Sequence, residues 1–498
     1  MSEWLTAFAG VFQPEVFMYL CIGVVSGAVI GTLPGLTATM AVAVLTPISF
    51  WLKPACGFAM LIGVYNSAIW SGGISAILIN TPGTPASMAS TFDGYSLTKK
   101  GYSGLALNLN TIWSVFGGLL SSICLALFAF PLARFALKFG PAEYAVVALF
   151  GLSMMVSVSG ASPSKGLLIG FLGLLVSTVG LETIHAYKRY TFGVAALLDG
   201  INFVPVMIGL FGIGEILYQI YTTELEEKNA VAEVSKGHQM PKLKTLAKLL
   251  PLNLVGGFFS VVVGAIPGAG GDIASIVCWG QAKRLSKEPE KFGEGSLEGL
   301  SVTCTANNAV IGGAMTTMLA LGIPGDAVTA ILIGSLMMYG MTPGPQLFVD
   351  NRPFVLTLIA QLVVANFVIL IFGLTTSRLY PKLLKISKKT LWVVVILCCL
   401  LGAYAINNSY IDLMAMAVAG VLGFILRVYD FPSGPFILGM LLGNLLESNL
   451  RRTLAVTMGS YSAFFTSPIC IVLLVVSILS LFSGSIKDLV KNKLKKEK

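Results

Sequence analysis

The chain has 498 residues, of which 55% are hydrophobic and only 11% charged, and its formal net charge is +9. Soluble domains carry roughly 25% charged residues, so this chain lacks the polar side chains to cover itself in water. A soluble enzyme, a nucleic-acid binder and a disordered protein are excluded; long, continuously apolar runs point to an all-α polytopic membrane protein and against a β-barrel.

A bilayer-crossing helix needs about 20 mostly apolar residues. Runs of this kind lie near 16–33, 37–52, 57–80, 104–130, 143–160, 166–184 and 203–222, before a polar stretch at 223–250. They resume near 252–280, 299–321, 325–340, 354–377, 390–408, 411–426, 432–446 and 464–484. Several are short or broken by Gly and Pro, so we expect about 12 transmembrane segments, some of them helical hairpins. No Lys or Arg precedes Lys53, so the start lacks the basic region of a signal peptide. The eight cysteines show no paired spacing and read as small core residues. His185 and His238 are the only histidines and do not suggest a metal site.

Charge orients the chain, because loops rich in Lys and Arg stay cytoplasmic. Arg378, Lys382, Lys385, Lys388 and Lys389 make one basic loop, and the C-terminal tail is basic as well. Four apolar runs between them satisfy that parity. The organisation read from this is a first membrane repeat (1–222), a polar cytoplasmic linker (223–250), a second membrane repeat with additional C-terminal helices (251–486) and a basic cytoplasmic tail (487–498).

The two halves look alike. Gly31-Thr-Leu-Pro34-Gly35-Leu-Thr37 matches Gly264-Ala-Ile-Pro267-Gly268-Ala-Gly270. Further on, Ser71-Gly72-Gly73 leading to Asn80-Thr81-Pro82-Gly83-Thr84 matches Gly312-Gly313 leading to Gly322-Ile-Pro324-Gly325-Asp326. Pro removes a backbone donor and the following Gly frees the chain to turn. In a membrane such breaks survive only against protein or a watery cavity. Matched breaks in two halves point to a transporter's midplane site, and half-helix N-termini suit an anion. If 223–250 and the loop after Trp279 are both cytoplasmic, 252–280 is a hairpin bent at Pro267-Gly268, and 16–52 is its counterpart from the other side. The repeat is then two-fold and inverted.

Ionisable groups at membrane depth are functional by default. Asp272, Asp326, Glu215 and Glu182 are candidates, with Asp412 and Asp430 near segment ends. Asp272 and Asp326 follow Pro-Gly breaks, where each is either a cation or proton ligand or a helix N-cap. Asn66, Ser67, Ser71, Ser75, Asn80, Thr81 and Thr84 in one half, and Thr305, Asn307, Asn308, Thr316, Thr317 and Thr329 in the other, are amides and hydroxyls able to wrap a carboxylate or a sodium ion. Others serve as interhelical hydrogen bonds. An intramembrane aspartyl protease is the alternative of another class, but Ala269-Gly270-Gly271-Asp272 lacks its first glycine. Neither Gly-x-Ser-x-Gly, His-Glu-x-x-His nor a Walker loop is present. A stand-alone anion permease or a passive channel are further alternatives.

Gly31-Thr-Leu-Pro-Gly-Leu36, Asn80-Thr-Pro-Gly-Thr-Pro85, Asp93-Gly94-Tyr95 with Lys99-Lys100-Gly101, Ala306-Asn-Asn-Ala309, Leu321-Gly-Ile-Pro-Gly325 and Gly340-Met-Thr-Pro-Gly-Pro345 stand in one order. With these motifs the chain resembles the large membrane subunit of the tripartite tricarboxylate transporters over nearly its whole length. The resemblance implies a multi-pass permease of the bacterial inner membrane, importing a di- or tricarboxylate by alternating access and driven by an ion gradient. It implies no cofactor, Na⁺ or H⁺ as coupling ion, a small membrane subunit and a periplasmic substrate-binding protein as partners. Two positions depart from the family pattern: Cys304 stands where a glutamate is usual, and Asp326 where a small hydroxylated or amide residue is usual.

Overall fold

The computed structural model describes residues 2–155, 162–182, 186–222, 240–268, 270–384 and 388–481. In chain order its longer helices are α1 (Ser2–Val11), α2 (Pro14–Thr32), α3 (Ala38–Ser49), α4 (Pro54–Ile79), α5 (Ser90–Lys99), α6 (Ser103–Ala136), α7 (Pro141–Ser153) and α8 (Pro163–Ser177). There follow α9 (Phe203–Thr222), α10 (Leu243–Gly264), α11 (Gly270–Leu285), α12 (Leu297–Leu321) and α13 (Ala327–Met338). The last are α14 (Arg352–Thr376), α15 (Lys388–Asn407), α16 (Tyr410–Val428), α17 (Gly434–Val456) and α18 (Pro468–Leu481). A two-residue antiparallel ribbon, Gly180–Leu181 with Lys188–Arg189, is the sheet among the described residues.

The protein is an all-α membrane protein. Eight helices (α2, α4, α6, α9, α10, α14, α15 and α16) are long and apolar enough to cross a bilayer among the described residues, fewer than the 12 segments expected. The difference is physical. α3 and α13 begin at the breaks and have 12 residues each, too short for a span. α12 has 25 residues but too many Thr and Asn for a lipid-facing helix, and almost its entire length is buried by protein. Two helices were not anticipated: α1, whose residues precede the first apolar run, and α5, which is polar. The four helices α15–α18 match the four runs expected after the basic loop. Residues 223–239 of the proposed linker and the tail 487–498 lie outside the described residues, as do His185 and His238.

Small residues bring the central helices together. Gly23, Gly27 and Gly31 form one stripe of α2 against α4, where a Cβ on Gly27 would lie 2.5 Å from the Val64 carbonyl oxygen, and one on Gly31 would lie 2.3 Å from that of Ala68. α10 meets α12 in the same manner: a Cβ on Gly264 would lie 2.3 Å from the Val310 carbonyl oxygen. With lipid outside, close backbone approach and dispersion hold helices together. Hydroxyls and amides add to it, as where Thr305 Oγ1 donates to Asn253 Oδ1 at 2.7 Å between α12 and α10.

Candidate functional site

Four breaks build the site. The first hairpin, α2–α3, turns at Pro34-Gly35, with Gly35 at φ +88°, and Thr37 caps α3 by accepting from the Met40 amide at 3.1 Å. The second hairpin, α10–α11, turns at Pro267-Gly268, with Gly268 at φ +76° and Gly270 at φ +54°. The expected bend at this position is present. α4 ends on Asn80 in the left-handed conformation (φ 57°, ψ 24°), and α12 ends on Gly322 in the same conformation (φ 72°, ψ 17°). After these come Pro82-Gly83-Thr84, with Thr84 at the start of the 3₁₀ turn Pro85–Ser87, and Pro324-Gly325-Asp326, with Asp326 capping α13.

The two pairs of breaks are packed alike. A Cβ on Gly83 would meet the Gly31 carbonyl oxygen at 2.1 Å and Gly72 Cα at 2.8 Å. One on Gly325 would meet the Gly264 carbonyl oxygen at 2.7 Å and Ala314 Cα at 2.5 Å. Across the breaks, Gly83 N donates to Gly72 O at 3.1 Å and Gly268 N to Gly325 O at 2.7 Å. The pairs Asn66/Asn308, Gly72/Ala314, Asn80/Gly322, Gly83/Gly325 and Thr84/Asp326 share one spacing of 242 residues.

Beside each break, at Thr37, Thr84, Gly268 and Pro324, the chain lines one cavity of about 410 Å³. Of the residues expected from sequence, Thr37, Thr84, Gly268, Gly270, Asp272, Pro324 and Asp326 line it. The N-termini of α3, α11 and α13 thereby face one space, and their free amide groups favour negative charge there. Asp326 Oδ1 accepts from the amide of Thr329 at 2.8 Å and Oδ2 accepts from the Tyr65 hydroxyl, so this carboxylate caps α13 and lines the cavity at once.

The remaining expected residues sit behind the cavity. Pro34 and Gly35 lie in the first turn, where the Gly35 carbonyl accepts from Gln219 Nε2 at 2.5 Å. Pro82, Gly83, Pro267 and Gly325 form the packed breaks themselves. Asn80 and Gly322 are helix C-caps, and Thr81 Oγ1 donates to the nearby Ile79 carbonyl. Ser71 Oγ donates to the Gly27 carbonyl at 3.2 Å, and Gly72, Gly73, Gly312 and Gly313 are close-packing positions, against Thr84, Asn110, Ser121 and Val261 respectively. Asn308 Nδ2 donates to Asn66 Oδ1 at 2.8 Å where α12 crosses α4. Asn307 is fully buried, and its Oδ1 has no hydrogen-bond partner among the described residues. Cys304 is buried away from the cavity and donates to Asn110 Oδ1 at 3.2 Å, so it does not face the site.

Of the other acids, Glu215 lines the cavity, while Glu182 pairs with Arg451 at 3.4 Å and Asp412 accepts from Asn407 Nδ2 at 2.9 Å. Sequence reasoning missed Arg427, which lines the cavity and pairs with Glu215 at 3.0 Å. It stands one residue past the apolar run 411–426, where a cation reads as a helix end. It also missed the task of Asp93, fully buried on α5. Asp93 Oδ1 accepts from the amides of Gly293, Gly295 and Ser296, and Oδ2 accepts from Trp279 Nε1 at 2.7 Å.

A family model described as the tripartite tricarboxylate transporter TctA family matches residues 17–438. An uncharacterized 52.8 kDa protein from the TAR-I ttuC′ 3′ region of Agrobacterium vitis is 34% identical over 478 residues, covering 96% of this chain and 95% of its own. A second uncharacterized protein, from the TAR-II ttuC′ 3′ region of the same organism, is 34% identical over 213 residues, 43% of this chain and 88% of its own. No solved structure matches. On the span of the family match and the full-length relative, the chain belongs to the tripartite tricarboxylate transporter TctA family.

Proposed function

We propose that the chain is the permease subunit of a binding-protein-dependent secondary importer of a di- or tricarboxylate, working in a bacterial inner membrane by alternating access. The observation that carries this reading is that residues at or beside all four Pro-Gly breaks line one cavity, with three helix N-termini facing into it. Helix N-termini favour carboxylates, and matched discontinuous helices are how secondary transporters build midplane sites. The matched contacts of the two halves support an inverted repeat, whose rocking would expose the cavity to either side in turn.

The charges support gradient coupling. Asp272, Asp326 and Glu215 line the cavity against the single guanidinium of Arg427. A polyanion entering that space meets like charge unless a cation or a proton accompanies it. Na⁺ or H⁺ is therefore the co-substrate, with Asp272 and Asp326 its ligands or carriers. The small membrane subunit and the periplasmic binding protein follow from the family.

The test is uptake of a labelled panel of di- and tricarboxylates into cells. Each is measured with the chain alone and with both partner proteins, with and without a sodium or proton gradient. Uptake that needs all three proteins and a gradient is expected. Gradient-dependent uptake by the chain alone removes the partners from the proposal. No uptake with the complex verified in the membrane overturns the substrate class.

A further inference from the structure

Resting on the reading of the cavity as a carboxylate site, we propose that Arg427 is its carboxylate anchor and that Glu215 is the counter-ion the substrate displaces. Arg427 is the one basic residue among those lining the cavity. Its two contacts with Glu215 are both made by Nη2, at 3.3 Å to Oε1 and 3.0 Å to Oε2. One face of the guanidinium lies over the Tyr218 ring, 5.3 Å from its centre. Nη1 and Nε have no hydrogen-bond partner among the described residues. A guanidinium holds a carboxylate best through two parallel N–H donors, so the existing pair uses it incompletely.

The asymmetry of the pair points the same way. The Glu215 side chain is 6% exposed, whereas that of Arg427 is 45% exposed and borders the cavity. Glu215 also accepts from Gln219 Nε2 at 3.3 Å, so it retains a donor when the guanidinium turns to another carboxylate. Gln219 in turn donates to the Gly35 carbonyl and accepts from Trp392 Nε1 at 2.9 Å. Exchange of partner at Arg427 therefore acts, through Gln219, on the turn of the first hairpin.

The experiment is binding to the full-length chain in lipid nanodiscs, by calorimetry, of the carboxylates of the uptake panel, each beside its monoamide. Arg427→Gln is expected to weaken the best-bound acid by about 30- to 100-fold, and to erase the preference for the acid over its monoamide. Arg427→Lys should keep part of both, because the charge stays but the fork is lost. Glu215→Gln should tighten binding, by roughly 3- to 10-fold, because the competing anion is gone. Wild-type affinity and preference in Arg427→Gln, or weakened binding in Glu215→Gln, overturns the assignment while leaving the cavity as the site. If Arg427→Gln does not fold, the direction of the Glu215→Gln effect decides alone. Wild-type protein that binds no acid of the panel overturns the carboxylate reading, and this assignment with it.

Discussion

Asn308 Nδ2 donates to Asn66 Oδ1 at 2.8 Å, and the two residues are separated by 242 positions, the spacing that also relates the broken ends of α4 and α12. α4 and α12 meet at this contact, each buried along nearly its whole length. The breaks at their ends are held at fixed distances from that crossing.

Asn308→Ala leaves Asn66 Oδ1 buried without its partner, and Asn66→Ala leaves Asn308 Nδ2 only the Asn66 backbone carbonyl at 3.4 Å. Asn66→Ala and Asn308→Ala should each lower stability by about 1–3 kcal/mol. The double variant should cost less than the sum, because the second change removes the orphaned group. Thermal unfolding of the detergent-solubilised protein measures all three, and strictly additive losses would rule out a coupled pair. Because neither amide lines the cavity, variants that still insert should take up carboxylate with an unchanged KM.

Asn80 and Gly322 hold the same left-handed conformation at equivalent helix ends. A residue with a Cβ pays about 1–2 kcal/mol there unless it is Asn or Asp. Asn80→Gly should therefore match wild-type stability, whereas Asn80→Ala should melt lower. Because Asn80 does not line the cavity, both should take up substrate with an unchanged KM. A raised KM in Asn80→Gly would return this residue to the binding site.

Asp326 combines a cap and a charge. Asn also caps helices well, so Asp326→Asn should fold and insert normally, while Asp326→Ala should lose roughly 1 kcal/mol with the cap. Both remove the carboxylate from the cavity, and both should lose ion-gradient-dependent uptake. Wild-type gradient dependence in Asp326→Asn would confine this residue to a capping task.

Asp93 joins α5 to the loop at 286–296 through three backbone amides and to α11 through the Trp279 indole. Asp93→Ala should leave these donors unpaired, the buried Ser296 amide among them, and cost about 1–3 kcal/mol. Limited proteolysis reads the effect locally: cleavage within 286–296 should become much faster in Asp93→Ala, with Asp93→Asn intermediate. Equal cleavage in all three would show that other contacts hold the loop.

The membrane class, most helix positions and the four breaks were legible in the sequence, because each is a local property. Apolar runs of sufficient length must avoid water, and a Pro-Gly pair ends a helix whatever surrounds it. The matched order of the breaks was legible for the same reason, since both halves write them with similar residues. The polar helix α12 shows the limit: its Thr and Asn residues fit a membrane only because neighbouring helices cover them.

Within the candidate site, sequence alone identified Thr37, Thr84, Asp272 and Asp326, which stand beside the breaks that the cavity joins. It gave Asn80, Ser71 and Gly312 equal standing, although their tasks are a cap and close packing; a motif residue's type does not say whether it faces a cavity or a neighbouring helix. Cys304 likewise stands in a motif, yet its burial against Asn110 removes it from the site. Arg427 was illegible because its meaning lies in a residue 212 positions away, Glu215, and in the cavity between them. Local hydropathy and backbone chemistry determined that this chain crosses a membrane on broken helices. Only long-range packing, which decides which side chains share one enclosed space, settled which residues the breaks surround.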